Sequence, residues 1–147
     1  MAVQTTYTET MPGRFKGAIR NTEPNVLISR TVETAAVSFG GTVVQSATID
    51  KAVHPVTTGD TVLLGIAVWD RGVDPATPDS YPVGSTARIM RQGVVTVTAG
   101  ATVAAGDPVH VVVATGVYTN TGAVTFLQGG RYETSGDSGD LVDVRLG

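Results

Sequence analysis

The sequence contains no cysteine. This absence excludes disulfide bridges, thiol nucleophiles and thiolate metal sites together. At 147 residues the chain is long enough to bury a substantial hydrophobic core without covalent cross-links. We therefore expect a single domain held together by packing and hydrogen bonds.

Charge is also scarce, because charged residues make up 16% of the chain and the net charge is −3. A nucleic-acid-binding protein would show a basic patch or stripe, which this sequence lacks. No apolar run approaches the roughly 20 residues of a membrane span. The polar N-terminal residues contain no apolar signal-peptide core. We expect no nucleic-acid partner, no membrane association and synthesis in a cytoplasm.

Residues 136–139 read Gly-Asp-Ser-Gly, the tetrapeptide that surrounds the nucleophilic serine of trypsin-like proteases. A catalytic triad needs a base within hydrogen-bond reach of the serine and a third group that orients the base. The candidate bases are His54 and His110, and neither lies in a sequence context that resembles the protease histidine. We interpret Ser138 as a turn residue and predict that the protein is not an enzyme.

The turn interpretation rests on a pattern that occurs three times. Residues 58–62, 105–109 and 138–142 all read small-Gly-Asp-x-Val, and each stands directly before a candidate strand. Glycine adopts a positive φ without strain, and an aspartate side chain can bond to nearby main chain. The pattern therefore predicts the same turn at three places.

Metal and cofactor sites lack their usual residues. The acidic residues Glu133, Asp137, Asp140 and Asp143 follow no known calcium-loop spacing. Two histidines without cysteine do not make a zinc ligand set. Neither Gly-Gly pair is followed by the Lys-Ser/Thr of a phosphate-binding loop. We predict no metal ion and no cofactor.

The abundant residues are those of β-structure: the chain has 24 valines, 22 threonines, 18 glycines and 7 prolines. Residues branched at Cβ favour strands, and glycine and proline mark turns. The composition predicts an all-β protein of short strands. The candidate strands are residues 26–28, 31–33, 42–49, 61–69, 87–90, 93–98, 108–114, 117–119, 123–127 and 141–146.

The last strand has the clearest pattern. Val142, Val144 and Leu146 share one face, whereas Asp143 and Arg145 share the other, which predicts a strand with one wet face. By contrast, residues 70–86 contain three prolines, a density that a strand interior does not tolerate. They are predicted to form a long surface loop, a second candidate for contact with a partner.

Residues 1–24 are polar and show no periodicity, so we predict an extended N-terminal arm. Within it, Met11, Phe15 and Ile19 are apolar, and Arg14, Lys16 and Arg20 stand between or beside them. Pro12 restricts the preceding residue to an extended conformation. Such an arm could lie along another protein's surface, at a reduced entropic cost. Alternatively, it could close over the core of its own body.

The stretch "MPGRFKGAI", the β-rich body and the later stretches "RQGVVTV" and "VAAGDPVHVV" resemble the structural cement (decoration) proteins of tailed-bacteriophage capsids. The resemblance runs from about residue 3 to the C-terminus. It implies a single-domain body, residues 25–147, with a jelly-roll or barrel-like β-sandwich fold, preceded by the extended arm at residues 1–24. Gly93 and the turn at Gly106 and Asp107 match as fold-determining residues.

The resemblance also implies a function. The protein would bind the outer surface of the mature capsid in the virion, bridge neighbouring subunits of the major capsid protein, and act as a homodimer or homotrimer. The capsid-binding residues implied by the arm motif are Met11, Pro12, Gly13, Arg14, Phe15 and Lys16.

A different virion component, a tail or fibre β-module that binds a host-surface glycan, is the alternative. Its candidate sugar-binding aromatics are Phe39, Trp69, Tyr81 and Phe126, although aromatic residues make up only 5% of the chain. Such residues also serve as core and rim aromatics. The number of copies in each virion would separate a capsid cement from a tail component.

Overall fold

The protein folds into a single all-β domain, as a computed structural model that describes residues 15–70, 72, 76, 78–121 and 125–147 shows. None of the described residues belongs to a helix that could cross a membrane. The strands are β1 (Val26–Val32), β2 (Val37–Ser38), β3 (Thr42–Gln45), β4 (Ala52–Pro55), β5 (Leu63–Ala67), β6 (Ser80–Tyr81), β7 (Thr86–Thr98), β8 (Pro108–Val112), β9 (Val117–Thr119), β10 (Thr125–Tyr132) and β11 (Leu141–Leu146).

Five of these strands close into a barrel. The order is β1-β4-β3-β5-β7, and β7 then pairs with β1 along six residues, from Val26 to Thr31. The β1–β4 pair is parallel and short, since it joins only Thr31 and Val32 to Ala52 and Val53. The predicted all-β, single-domain body is therefore confirmed, and its barrel-like part is closed.

The second half of the fold is an open sheet, which shares the long strand β7 with the barrel. Its order is β7-β11-β10-β8-β9, so the 13-residue strand β7 belongs to both the barrel and the sheet. The exchange of partners occurs at Gly93, where β7 leaves β1 and begins to pair with Leu146 of β11. Gly93 has a φ of 126°, and a Cβ there would lie 2.8 Å from Asn25 Cβ. Glycine is required because a side chain would be both strained and crowded at this junction.

Two hydrophobic cores follow from this arrangement. Each of the five barrel strands contributes an inward side chain to the first core: Val32, Val43, Val53, Ala67 and Ile89. The second core lies between the barrel and the open sheet, where barrel residues such as Leu63, Ile66 and Met90 pack against valines of β7, β8 and β11.

A buried hydroxyl group joins the two halves. Tyr118, in β9 of the sheet, donates a hydrogen bond to the main-chain carbonyl of Gly40 at 2.6 Å. Its oxygen also accepts one from the hydroxyl of Thr42, in β3 of the barrel, at 2.9 Å. Burial raises the pKa of Tyr118 above its ordinary value. The same is true of Tyr132, whose hydroxyl donates to the carbonyl of Thr119.

The strand predictions succeed where the pattern is local. β9 and β11 have the predicted bounds, and the two pieces predicted at 87–90 and 93–98 form the single strand β7. β4 was not predicted, because its four residues include a histidine and a proline and show no alternation. The loop prediction for residues 70–86 is wrong at Ser80 and Tyr81, which form β6 and pair with β2, and at Thr86, the first residue of β7.

The prediction that the three Gly-Asp sequences form the same turn is confirmed. In each turn the aspartate side chain accepts a hydrogen bond from the main-chain N–H three residues earlier, at 2.7–3.0 Å. The glycines have φ values of 99°, 94° and 94°, which only glycine adopts without strain. The turning residues are Gly59 with Asp60, Gly106 with Asp107, and Gly139 with Asp140.

Candidate functional site

Residues 15–20, called the root here, lie against the second half of β7. The N–H of Gly17 donates to the carbonyl of Thr96 at 2.8 Å, and the N–H of Thr96 donates to the carbonyl of Ala18 at 3.0 Å. The N–H of Arg20 donates to the carbonyl of Val94 at 3.1 Å. Because β11 already pairs with this part of β7, the root occupies the opposite edge of the strand. The described end of the arm is thus bonded to the body of its own chain.

Gly17 anchors the root at the place where the barrel and the sheet meet. Besides its bond to β7, its carbonyl accepts a hydrogen bond from the N–H of Trp69, just after β5, at 2.9 Å. Its φ is 80°, and an added Cβ would lie 2.7 Å from Trp69 N and 3.1 Å from Gly40 N. Both atoms belong to the main chain and cannot swing aside. The sequence "FKGAI" therefore needs glycine at this position.

Ion pairs join Arg20, the last residue of the root, and Glu23 to β11. Arg20 Nε lies 3.4 Å from Asp143 Oδ2, and the hydroxyl of Thr96 donates to Asp143 Oδ1 at 2.8 Å. Arg145 bonds at 2.6 Å to Glu23 on one side and to Glu133 on the other. The predicted wet face of β11 is consequently wrong at Asp143, which is 7% exposed because it is enclosed by polar partners from the root and β7.

The root places Phe15 against Trp69. The two ring centroids are 4.9 Å apart and the rings meet edge to face, a favourable geometry for aromatic pairs. Phe15 nevertheless remains 45% exposed. We call this pair the aromatic ridge. Since the residues after Phe15 are bonded to β7, the ridge is held in place before any partner arrives.

A groove with a volume of about 620 Å³ runs beside the aromatic ridge. It lies where the root, the end of β7 and the loop before β6 come together. Among its lining residues that the structure describes, most are apolar, and the charged ones are Lys16 and Asp79. The lining residues are Phe15, Lys16, Phe39, Trp69, Asp79, Thr98 and Leu141.

Two of the six predicted capsid-binding residues fall within the described part of the chain. Phe15 and Lys16 are both exposed and both line the groove. Met11, Pro12, Gly13 and Arg14 lie outside the described residues. The structure thus places the last two residues of the motif on the surface, beside a concave apolar site.

Two of the four aromatic residues considered for sugar binding, Phe39 and Tyr81, are buried. Phe39 and Tyr81 pack edge to face at 5.1 Å and are both buried in the barrel core. The hydroxyl of Tyr81 donates to the carbonyl of Val68. Trp69 packs on Phe15 instead. Phe126 belongs to β10, and its side chain lies outside the described part.

The serine of the Gly-Asp-Ser-Gly stretch has a structural partner. Ser138 Oγ donates to the carbonyl of Gly100 at 3.2 Å, and the flanking Asp140 closes the third Gly-Asp turn. His54 Nδ1 lies 2.8 Å from the carbonyl of Pro55. These contacts explain the tetrapeptide as turn structure.

The acidic residues near the C-terminus each have their own partner. Asp137 accepts from the hydroxyl of Thr102 at 3.1 Å, and Glu133 pairs with Arg145. Within the described ranges, no group of three or more potential ligands is placed to hold a metal ion.

Sequence reasoning overlooked the two residues that position Phe15. Gly17 stands in the recognised motif, but no local pattern reveals that its carbonyl meets a residue 52 positions later. Trp69 was considered as a sugar-binding residue or as a core or rim aromatic, but not as a partner of Phe15. A lone tryptophan at the end of an apolar strand, followed by a polar loop, is the available signal for a rim position.

Comparisons with known proteins give one family and a shared fold. A family model described as structural cement protein (E217 gp24/Pam3 gp6) matches residues 3–147. No curated protein matches the sequence significantly.

Two solved structures resemble the chain. A chain in the capsid of Myoviridae phage XM1 has a TM-score of 0.75 and 18% identity, with 99% of this chain and 98% of that chain covered. The N base of head fibre gp8.5 in bacteriophage phi29 has a TM-score of 0.55 and 16% identity, with 84% and 95% covered. At these identities the two structures establish a common fold.

Proposed function

Since the chain belongs to the phage structural cement protein family, we propose that it binds the outer surface of a phage head and bridges neighbouring major capsid subunits. The observation that carries this proposal is the family match, which spans nearly the whole chain. Membership identifies a structural protein of the virion. The outer position, the bridging and the contact residues are what we add.

We assign the capsid contact to residues 11–16. Phe15 is an aromatic side chain, 45% exposed, and its ring packs against Trp69. Such anchors carry most of the binding energy of protein interfaces. The root is already bonded to β7, so little conformational entropy is lost at Phe15 on docking.

To bridge capsid subunits, each assembled copy of the protein must contact more than one of them. We propose that the protein acts as a homodimer or homotrimer, so that each arm reaches a different capsid subunit. Once one arm is bound, the others benefit from a high effective concentration, and modest contacts give durable attachment. Light scattering on the purified protein measures the assembly state, and a strictly monomeric protein would contradict this part of the proposal.

The copy number in purified virions tests the function itself. Quantitative mass spectrometry should give a ratio to the major capsid protein near one to one, as expected for a component spread over the lattice. A handful of copies would instead indicate a tail or vertex component, and the cement function would be wrong.

The contact residues are tested with one substitution and a matched control. Phe15→Ala should weaken binding to undecorated heads by roughly 30-fold, because truncating a hot-spot aromatic costs about 2 kcal/mol. Val62→Ala removes another exposed apolar side chain, 65% exposed and outside the ridge and the groove, and should leave binding unchanged. Equal binding of both variants would remove Phe15 from the interface.

A further inference from the structure

A second concave site shares the aromatic ridge with the groove, since Phe15 and Trp69 line both. It has a volume of about 300 Å³ and is formed by the ridge, residues 17–20 of the root, Val68 and Arg88. Among its lining residues within the described part of the chain, the charged ones are Arg20 and Arg88, and no carboxylate lines it. We call it the cationic depression. Its charge contrasts with the net charge of −3 on the whole protein.

Of the two cations, Arg88 is the one available to a partner. Arg20 already lies 3.4 Å from Asp143, whereas Arg88 forms no ion pair with any residue that the structure describes. The nearby carboxylate of Asp70 accepts a hydrogen bond from the N–H of Gly72 at 2.9 Å and does not line the cationic depression. A guanidinium held half-buried beside apolar surface favours a carboxylate partner.

The floor of the cationic depression is apolar and partly open. Phe15 and Ile19 are 45% and 38% exposed, and both border it together with Trp69. Two exposed apolar side chains on one bonded segment offer a platform for an apolar side chain of a partner, which would stabilise the complex by removing that surface from water.

The root also offers main-chain groups to a partner. Ile19 faces Val95 across the antiparallel pair, and the hydrogen bonds on either side of it run from Arg20 to Val94 and from Thr96 to Ala18. In that geometry the N–H and C=O of Ile19 point away from β7. An extended segment could therefore add alongside the root by main-chain hydrogen bonding.

We propose that the cationic depression binds an extended, acidic segment of the major capsid protein. A carboxylate of that segment pairs with Arg88, and a neighbouring apolar side chain lies on the Phe15 and Ile19 platform. The inference rests on the proposed function, since it names the chemistry of the partner that the root meets. It adds Arg88 as a contact residue and predicts binding that weakens as salt screens the pair.

The test measures binding of the full-length protein to purified heads stripped of cement. Arg88→Gln should weaken binding by roughly tenfold to a hundredfold, as expected for loss of a hydrogen bond to a charged group. Arg88→Glu should weaken it further through like-charge repulsion. Arg91→Glu is the control, because Arg91 is an exposed arginine of the same strand outside the cationic depression, and it should bind within about twofold of wild type.

A cross-linking experiment identifies the partner segment. Arg88→Lys keeps the charge and supplies an amine that carbodiimide couples directly to a carboxylate. The expected product joins position 88 to an aspartate or glutamate of the major capsid protein, next to an apolar residue. Arg91→Lys should give no such product.

The outcomes separate this inference from the proposed function. If the wild-type protein does not bind heads, both are overturned. If it binds and the Arg88 variants bind equally well, or if position 91 cross-links and position 88 does not, the assignment of the cationic depression alone is wrong.

Discussion

Replacing Gly17 by alanine tests whether the root is part of the folded body. Gly17 has a φ of 80°, which costs an alanine about 1–2 kcal/mol. Its new Cβ would also lie 2.7 Å from Trp69 N and 3.1 Å from Gly40 N. Forcing a methyl group into packed main chain costs about 1–3 kcal/mol more. The expected loss in the free energy of unfolding is therefore about 2–5 kcal/mol.

Gly59→Ala provides the matched control. Gly59 also has a positive φ, 99°, but an added Cβ there would have no heavy atom within 4 Å. The control variant carries the backbone strain without the collision, so it should lose only about 1–2 kcal/mol. Urea denaturation measures both values, and an unchanged m-value would show that the compactness of the two end states is preserved.

The single tryptophan makes the local effect visible as well. Trp69 touches Phe15 and bonds to Gly17, so displacement of the root should change its fluorescence in Gly17→Ala and leave it unchanged in Gly59→Ala. Equal stability losses in the two variants, with identical fluorescence, would refute the conclusion that the root is wedged between the barrel and the sheet.

Two further predictions concern buried polar groups. Asp143→Ala should lower the free energy of unfolding, measured in urea, by about 1–3 kcal/mol, because the buried hydroxyl of Thr96 loses its acceptor. Asp143→Asn keeps an acceptor and should lose less stability. Equal losses in the two variants would contradict this explanation. Burial raises the pKa of Tyr118 and of Tyr132, so the folded state retains their protons above the ordinary value near 10. Their stabilising effect should be complete below about pH 10 and decline as the pH rises above it. Thermal unfolding across this range checks the decline, and Tyr132→Phe should make it shallower; a stability independent of alkaline pH would show that these groups ionise freely in the fold.

The parts of the fold that the sequence predicted are those with local causes. The alternation in residues 141–146 and the Gly-Asp turn before it define β11, because side-chain direction and turn chemistry depend only on neighbouring residues. Barrel closure depends instead on the pairing of β1 with β7, about 60 residues apart, and no short pattern encodes that contact. The short strand β6 was not predicted, because prolines flank it in the sequence. Its pairing also depends on a distant partner, since β2 lies some 40 residues earlier.

In the candidate site, too, features with local causes were predicted and features that depend on long-range contacts were not. The resemblance predicted Phe15 and Lys16 as capsid-binding residues. Both are exposed and line the groove, and their binding to a capsid stays a prediction. Their positions depend on long-range partners, Trp69 and Thr96, which only the folded chain brings together. Asp143 illustrates the converse error. Alternation alone assigned it to solvent, and the polar partners that bury it come from Thr96 and Arg20.

The two main-chain bonds of Gly17 also determine how a mechanical load would enter the molecule. Within the described residues, Gly17 makes the first main-chain bonds between the root and the body: its N–H is bonded to the open sheet at Thr96, and its carbonyl is bonded to the barrel end at Trp69. A load transmitted through Gly17 would therefore be shared by the two halves at their junction. Strand β7 belongs to both halves and connects them covalently. A load applied through the root would thus act on both halves of the domain at once.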